Sequence, residues 1–361
     1  MLKGYKYRLH PTPVQAEFQT IGCARFIYNK LLEDRISIRE EAKAGNGTRR
    51  KPATPASYKP LFPFLAEADS LALANAKLNL DTANAKFFAG TAGFPTFKSR
   101  RRSRASYTTN NQHGTIRIEN GKVRLPKIGF VKFEQHRPFE GIIKSATVSM
   151  TRTGTFFISL LVEQDDEPWI PAENKVGIDL GLKHFAVMTN DAMVSEKIDN
   201  PRFLRQSEAK VKEAQRALSR KKIGSKNREK AKLLLAKKHE KIANQRKDFL
   251  HKLSRQIVDE NQVIVVETLT SKDMMKNHKV AKSIGDVSWC EFVRQLEYKS
   301  NFYGRTLIKA DPWYASTQIC SSCGVKGEKK TMDVREWTCT HCGAYHDRDI
   351  NASINLLMLA N

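Results

Sequence analysis

Four cysteines near the carboxyl end of this 361-residue sequence are spaced as metal ligands. They form two C-x2-C pairs, Cys320 with Cys323 and Cys339 with Cys342, and 15 residues separate the pairs. Each pair supplies two sulfurs from one tight turn, and a glycine follows each pair where the turn needs backbone freedom. Where thiols stay reduced, this spacing predicts one tetrahedral zinc site rather than two disulfides. Unliganded thiols are the alternative interpretation.

Three acidic residues stand where a second kind of metal site could form. Asp179 interrupts an apolar run, Glu267 follows four β-branched residues, and Asp349 precedes an apolar helical segment. Carboxylates on neighbouring strands and a nearby helix can hold two Mg²⁺ ions about 4 Å apart, which clamp the attacking water and the leaving oxygen of a phosphodiester. Taken alone, each acid is more often a solvated turn residue, and Asp347 and Asp191 are competing candidates.

The charge of the chain favours a polyanionic partner. The sequence has 62 Lys and Arg against 38 Asp and Glu, a formal net charge of +24, with 40% hydrophobic residues. Residues 202–254 alone carry 18 basic and five acidic side chains. This excess argues against an ordinary small-molecule enzyme and predicts nucleic acid first and a membrane surface second. A solvated helical face or a coiled coil is the alternative for the basic region.

A shorter basic stretch lies in the first third of the chain. It consists of Arg100, Arg101, Arg102 and Arg104, followed by Tyr107. Since phosphates attract clustered guanidinium groups, we interpret the stretch as a phosphate clamp. A solvated loop is the alternative.

The compartment follows from what the sequence lacks. No apolar run approaches the ~18 residues of a membrane span. The first residues contain no apolar stretch of the kind that directs secretion. We therefore expect a cytosolic or nuclear protein with reduced thiols. The two remaining cysteines, Cys23 and Cys290, are expected to be buried small apolar residues.

The elements that must position the candidate ligands follow from hydrophobic periodicity. A strand over 3–9 precedes helical regions over 14–46 and about 66–89. Short alternating segments between 106 and 165, separated by glycines, predict a small all-β unit, closed into a barrel by the N-terminal strand. An acidic segment with two prolines predicts a linker over 165–174.

An α/β pattern fills the rest of the chain. The strand that carries Asp179 has a hairpin partner, and a buried strand ends at Glu267. The predicted elements are strands at 176–181, 185–188, 263–266 and 306–308, a helical hairpin over 202–260 broken near 224–225, and helices at 286–303 and 350–359.

The order of these motifs resembles the TnpB (OrfB) family, which bacterial and archaeal insertion sequences encode and which is related to the small type V CRISPR nucleases. The resemblance spans nearly the whole chain. It rests on YKYRLHPTP at 5–13, GCARFIYN at 22–29, GIDLGLK at 177–183, LSRKK at 218–222, GSKNR at 224–228, DFLHK at 248–252, VVE at 265–267, CSSCG at 320–324, CTHCG at 339–343 and HDRDINA at 346–352. The chain departs from the family at Thr268-Leu269 and at 314–318.

The resemblance implies an α+β multidomain fold. A RuvC nuclease domain of RNase H-like fold would cover 174–319 and 344–361, with a zinc-binding insert at 320–343 that touches nucleic acid. A wedge-like β-barrel would cover 1–13 and 106–170, interrupted by a helical recognition domain at 14–105. Asp179, Glu267 and Asp349 would be the metal-binding triad; their presence argues against a nuclease-dead relative.

The resemblance also implies an activity and its partners. The chain would be a monomeric RNA-guided DNA endonuclease in a bacterial or archaeal cytoplasm, associated with the nucleoid. It would bind a guide RNA from the end of its own element and cleave complementary double-stranded DNA beside a short adjacent motif. Two Mg²⁺ or Mn²⁺ ions and one structural Zn²⁺ would be its cofactors.

The expected nucleic-acid contacts fall on the basic stretches. They are Arg100, Arg101, Arg102 and Arg104, with Arg220, Lys221, Lys222, Lys226 and Arg228 of the helical hairpin. Asn75 and Lys77 are polar candidates for reading the adjacent motif, and plain solvated positions are the alternative for both.

Two other functions compete with this interpretation. A single-strand transposase would show a His-hydrophobic-His pair and a tyrosine nucleophile, but no two of the nine histidines are separated by one residue. A non-catalytic RNA- or DNA-binding regulator would bind without forming Mg²⁺-dependent products.

Overall fold

The computed structural model describes residues 1–16, 20–44, 50–165, 170–331 and 333–360. Parts of the predicted helix over 14–46 and of the predicted linker over 165–174 lie outside these described residues. The chain divides into two compact units, residues 1–167 and 168–361. Within the described ranges, no helix is both long and apolar enough to cross a bilayer.

A seven-stranded antiparallel sheet is the framework of the first unit. Its strands are β1 (Leu2–His10), β2 (Ala105–Asn110), β3 (Arg117–Glu119), β4 (Lys122–Leu125), β5 (Gly129–Glu134), β6 (Ile142–Met150) and β7 (Phe156–Glu163). They lie in the order β2-β6-β7-β1-β5-β4-β3, so the N-terminal strand pairs with two later strands, as predicted. The described pairing leaves β2 and β3 as edges, and closure into a barrel stays a prediction.

Helices of the first unit share one hydrophobic core with this sheet. They are α1 (Pro13–Ala16), α2 (Thr20–Lys43) and α3 (Ser70–Phe88), with short 3-10 turns at Ala56–Tyr58 and Pro63–Ala66. Alternate side chains of β1, such as Tyr7, are buried with Leu31 of α2 and Leu73 of α3. Asp69 caps α3 by accepting a hydrogen bond from the backbone of Leu71, and its carboxylate also accepts one from Thr109 of β2.

The second unit is built on a five-stranded mixed sheet. Its strands are β8 (Asn174–Leu180), β9 (His184–Asn190), β10 (Ser195–Asp199), β11 (Asn261–Val266) and β12 (Thr306–Lys309). The order is β10-β9-β8-β11-β12, with β8, β9 and β10 antiparallel and β11 and β12 parallel to β8. The sequence did not predict β10, because its residues are largely polar and half-buried to exposed at the edge of the sheet.

Helices surround this sheet. They are α4 (Phe203–Gln206), α5 (Glu208–Ser219), α6 (Lys226–Glu260), α7 (Ser271–Met274), α8 (His278–Val287), α9 (Trp289–Phe302) and α10 (Arg348–Leu357); β13 (Glu336–Thr338) and β14 (Tyr345–Asp347) form a small hairpin before α10. The predicted break between α5 and α6 is confirmed at Gly224, whose φ of 84° suits glycine, and Ser225 caps α6.

The helix predicted over 286–303 is confirmed as α9, although it begins at Trp289 rather than at 286, and α8 before it was not predicted. Ser288 has a φ of 59°, which ends α8 and turns the chain into α9. Trp289, Phe292 and Leu296 of α9 are buried in the core, because their helical spacing places them on one face. The expectation that Cys290 is buried is wrong, because it lies on the exposed side of α9, whereas Cys23 is buried.

Candidate metal centres

Parallel pairing brings Asp179 and Glu267 to the same end of the sheet. Val266 of β11 is paired with Ile178 of β8, so the two acids are the next residues along neighbouring parallel strands. The Glu267 N–H donates to the Ile178 carbonyl at 3.4 Å, and Glu267 Oε1 accepts from the Leu180 N–H at 2.6 Å. The Glu267 carboxylate is therefore held against the strand that carries Asp179.

Helix α10 adds Asp349 to this pair. The helix lies directly on β8, since a Cβ atom at Gly177 would overlap the backbone of Ser353 and Leu357. The hydroxyls of Ser353 and Thr189, the latter opposite Gly177 on β9, are 2.5 Å apart. Asp349 lies one turn before Ser353 in the first turn of α10. Close helix–strand contact at a glycine thus places the third acid over the sheet.

Electrostatics shows that the three acids share one environment. Burial raises the pKa of Asp179 well above its ordinary value, and the charges of Glu267 and Asp349 raise it further. Burial also raises the pKa of Glu267 to about 7, opposed by the Leu180 N–H and reinforced by Asp349. The structure therefore brings together the three acids that the sequence singled out, in an environment where their charges repel one another.

The competing acids occupy other positions. Asp347 is the N-cap of α10: its Oδ1 accepts from the backbones of Asp349 and Ile350, and its Oδ2 lies 2.6 Å from Lys197 Nζ. Asp191 follows β9 and bonds to the Lys175 carbonyl, at the opposite end of β8 from Asp179. Asp347 is thus occupied as a helix cap, and Asp191 lies away from the cluster.

Two arginines supply positive charge beside the acids. Arg348 Nε and Arg335 Nη1 each lie 3.3 Å from a carboxylate oxygen of Asp349. Arg348 lowers the pKa of Asp179, against the stronger effects of burial and the neighbouring carboxylates. Because Asp179 keeps a raised pKa, these arginines offset the acid cluster only in part.

The four cysteines have the geometry of a tetrahedral site. Their sulfurs all lie within 4.8 Å of one another, with Cys320 and Cys342 at 3.6 Å and Cys323 and Cys339 at 3.8 Å. A zinc–sulfur length of about 2.3 Å gives a tetrahedral edge of about 3.8 Å. The backbone N–H groups of Cys342 and His341 lower the pKa of the Cys339 thiol to about 6. These residues fit a zinc ion.

The acid cluster is looser than the thiol cluster. Among the described residues, the four cysteines are the only set of three or more His, Cys, Asp or Glu side chains with ligand atoms this close together. Mg²⁺ takes only one or two carboxylates from the protein and completes its octahedron with water and substrate phosphate. Three acids spread around two ions are compatible with that preference, and their role as ligands stays a prediction.

The predicted nucleic-acid contacts are largely exposed. Arg100, Arg101, Arg102 and Arg104 lie on a turn before β2, whereas Tyr107 beside them is buried in the core. On the helical hairpin, Arg220, Lys221, Lys222 and Lys226 are exposed. Arg228 instead donates to the carbonyls of Leu218 and Lys221 and closes the turn between α5 and α6.

The two candidates for reading an adjacent motif make contacts inside the first unit. Asn75 Nδ2 donates to the Leu71 carbonyl and to Asn110 Oδ1, and Lys77 pairs with Asp81 at 2.8 Å. Both side chains are half-buried. A role for them in recognition stays a prediction.

Two residues that sequence reasoning missed fix the position of α10. Asn351 and Asn355 are buried, and the side-chain amide of each donates to the carbonyls of Ser316 and Ile319, just before the first cysteine. The signal in the sequence was a pair of amides four residues apart among the apolar residues of 350–357, which indicates a polar contact on one helical face.

Comparisons with known proteins agree with this architecture. A family profile described as “Probable transposase” (OrfB) matches residues 159–278, a Cas12f1-like TNB domain profile matches 289–356, and a helix-turn-helix profile matches 1–44. The solved structure of a Cas12f1–sgRNA–target DNA complex has a TM-score of 0.62 with this chain at 17% identity, covering 95% of this chain and 82% of that protein. The chain therefore has the mixed α+β fold of a small type V CRISPR nuclease.

Relatives in sequence give the family. A Streptomyces pristinaespiralis protein named as an RNA-guided DNA endonuclease is 39% identical over 98% of this chain and 88% of its own length. InsQ of Escherichia coli K12, named likewise, is 29% identical over 99% of this chain and 92% of its own length. The chain belongs to the TnpB (OrfB) family.

Proposed function

We propose that this protein is an RNA-guided DNA endonuclease that cleaves DNA complementary to a bound guide RNA. Asp179, Glu267 and Asp349 are its catalytic acids and hold two Mg²⁺ or Mn²⁺ ions. The observation that carries the proposal is the meeting of these acids, from segments far apart in sequence, in one buried and mutually repelling cluster. The family membership and the full-length relatives named as RNA-guided DNA endonucleases support it.

The second unit supports a RuvC assignment. Its sheet has three antiparallel strands followed by two parallel ones, in the order expected of an RNase H-like fold. The nuclease domain would cover 174–319 and 344–361, with the zinc-binding insert at 320–343. The first unit would supply the wedge, at 1–13 and 106–170, and the helical recognition domain, at 14–105.

The chain's own residues prepare the acid cluster for phosphodiester hydrolysis. Bound divalent cations would supply Lewis acidity and a nucleophilic hydroxide at neutral pH. The Leu180 N–H fixes one oxygen of Glu267, and the Asp347 cap fixes the first turn of α10 and so the backbone of Asp349. Arg335, which is partly exposed beside Asp349, is placed to meet a substrate phosphate.

The basic surfaces account for the polyanionic partners. Exposed lysines and arginines of α5 and α6 in the second unit can hold an RNA–DNA heteroduplex through its phosphates, and base pairing with the guide supplies sequence specificity. The exposed arginines at 100–104 in the first unit offer phosphate contacts of their own. We place the protein as a monomer in a bacterial or archaeal cytoplasm, associated with the nucleoid that holds its DNA target.

A strand-cleavage assay tests this function against both alternatives. The full chain, purified with its co-purified RNA, is incubated with matching double-stranded DNA in Mg²⁺, with and without chelator, and both cut and joined products are scored. We expect guide-dependent cutting that the chelator stops, without joined products. Binding without Mg²⁺-dependent products would identify a regulator, and joined products would identify a transposase.

A further inference from the structure

The thiol cluster and the acid cluster are linked through helix α10. The amides of Asn351 and Asn355 bond to the carbonyls of Ser316 and Ile319 at 2.7 to 3.3 Å. Asn351 Oδ1 also accepts the N–H of Ser321, inside the first C-x2-C turn, at 2.9 Å. Because a buried amide without a hydrogen-bond partner costs free energy, these bonds hold the first cysteine turn and α10 to each other.

His346 adds a contact to the metal-binding sulfurs themselves. Its side chain is buried, and its Nε2 lies 3.1 Å from Sγ of Cys320, which is fully buried. Its ring packs against Trp337 of the paired strand β13, with ring centroids 4.7 Å apart. A ring N–H directed at a metal-bound thiolate stabilises the sulfur's negative charge and fixes its orientation.

The same histidine is continuous with the support of Asp349. It directly precedes Asp347, whose Oδ1 accepts the N–H groups of Asp349 and Ile350 at 3.0 and 3.1 Å. Arg335, which lies just before β13, donates to the Asp349 carboxylate, and its carbonyl accepts the Arg348 N–H at 2.7 Å. The β13–β14 hairpin and the residue before it therefore contact the first turn of α10 through Asp347 and Arg335.

We propose that His346 is a positioning residue that makes the placement of Asp349 depend on zinc. With zinc bound, its Nε2–H donates to the Cys320 thiolate, and the tie between β14 and the sulfur holds the Asp347 cap and Asp349 in place. Without zinc, that acceptor loses its fixed position. Asp179 and Glu267 belong to the sheet and keep theirs, so zinc controls one acid of three.

Three variants of the full chain with its co-purified RNA test this role, which rests on the proposed function of Asp349. His346→Phe removes the donor, and His346→Gln retains an N–H donor. His341→Phe is the matched control, because His341 is exposed and lies between the second pair of cysteines. The readouts are the absorption spectrum of cobalt-substituted protein, zinc release to a chromogenic chelator, target binding and cleavage.

We expect His346→Phe to shift the thiolate-to-cobalt charge-transfer band and to release zinc at least about tenfold faster, as for other residues that orient metal ligands. Its cleavage should fall at least about tenfold, with target binding within about twofold of wild type. His346→Gln should recover part of the zinc retention and part of the cleavage, and His341→Phe should match wild type in cobalt spectrum and zinc release.

Two results would overturn the proposal. If His346→Phe matches His341→Phe in cobalt spectrum and zinc release, the ring does not support the Cys320 thiolate. If zinc release quickens but cleavage does not change, the zinc site does not control Asp349. Failure of the proposed function is a separate outcome: wild-type protein would then make no cut product, while the cobalt and zinc readouts would still report on His346 and Cys320.

Discussion

The two candidate metal centres of the second unit are assembled in opposite ways. The sulfurs come from two turns within residues 320–342, whereas the acids come from two strands and a helix spread over residues 179–349. Backbone N–H groups lower the pKa of Cys339 to about 6, but burial and neighbouring charge raise the pKa of Glu267 to about 7. Local turns thus gather the thiols and favour the Cys339 thiolate, whereas, against the Val325 N–H, burial and the neighbouring sulfurs raise the pKa of Cys323 to about 12. The fold, by contrast, forces together carboxylates that repel one another.

This difference separates stability from function. A cluster that the surrounding backbone already favours can serve as a structural brace, because binding its metal stabilises the folded state. A cluster that opposes folding until a cation arrives is typical of a catalytic site, where strongly shifted pKa values concentrate. The predictions below change one centre and ask whether the other responds.

The largest expected effect is on catalysis, from Asp179→Asn. The change keeps the shape of the side chain and removes the charge that would hold the cations. We expect a loss of several kcal/mol of transition-state stabilisation, about three to four powers of ten in cleavage rate. Guide binding, target binding and zinc content should not change, because Asp179 does not touch the thiol cluster.

The control is Asp191→Asn, at the opposite end of β8, which should cleave as wild type. Equal cleavage by the two variants would contradict the assignment.

Gly177→Ala tests whether tertiary packing assembles the acid cluster. The new methyl group would overlap the backbone of α10, which cannot move without shifting Asp349. We expect a loss of about 3 kcal/mol in the free energy of unfolding, measured by chemical denaturation. Cleavage should fall sharply, yet the cysteines should still bind one zinc per chain, because their turns are local.

Gly285→Ala is the matched control for that substitution. Gly285 lies in α8, with no atom within 4 Å of the position that its Cβ would take. Alanine should stabilise the helix by about 0.5–1 kcal/mol and leave cleavage unchanged. A Gly177→Ala protein as stable as Gly285→Ala would show that α10 does not press on β8.

These differences also mark what the sequence could predict. Spacing alone identified the four cysteines, because these candidate metal ligands lie in two short turns. The acids could be chosen only together with the resemblance, because no local pattern shows that β11 lies beside β8 in parallel. The position of helix α10 could not be predicted from periodicity, because it depends on close packing at a glycine in β8 and on the hydrogen bonds of two buried amides. The edge strand β10 was not predicted because its residues are largely polar. The boundary between α8 and α9 was not predicted because it depends on the left-handed backbone of Ser288.

Glu267→Gln should stabilise the metal-free protein, whereas most changes of a buried residue lower the free energy of unfolding. Glutamine keeps the oxygen that accepts the Leu180 N–H but removes one of the repelling charges. The raised pKa means that the folded state holds this proton up to about pH 7, while the unfolded chain releases it near 4.5. Glu267 should therefore make the stability of metal-free wild type fall by about 2–3 kcal/mol as pH rises through that window. The variant should lose this part of the fall and keep the part that the raised pKa of Asp179 causes.

The measurement is denaturation in chelator between pH 5 and pH 8. Mg²⁺ added in excess of the chelator should bring the stability of wild type towards that of Glu267→Gln, because cations relieve the repulsion. Cys323→Ser, compared with wild type without chelator so that zinc stays bound, should give the opposite sign, with lower stability and less bound zinc. If Glu267→Gln and Cys323→Ser were destabilised to the same degree, the acid cluster would not oppose folding in the way proposed here.

The smallest effect concerns Lys299, a buried charge that serves neither centre. Its Nζ donates to the His251 carbonyl and to Ser254 Oγ, both at 2.7 Å, inside the packing of α6 against α9. Burial, with help from Arg255 and against Asp259, lowers its pKa to about 8. The unfolded chain keeps this proton to about pH 10.5, so stability should rise by about 2 kcal/mol between pH 7 and pH 9.5. Lys299→Met should lose that rise, and Lys252→Met, at an exposed position of α6, should retain it. Lys299→Met should cleave as wild type at pH 7.5, because the hydrogen bonds of Lys299 lie within the packing of α6 against α9 and involve neither the acids nor the thiols.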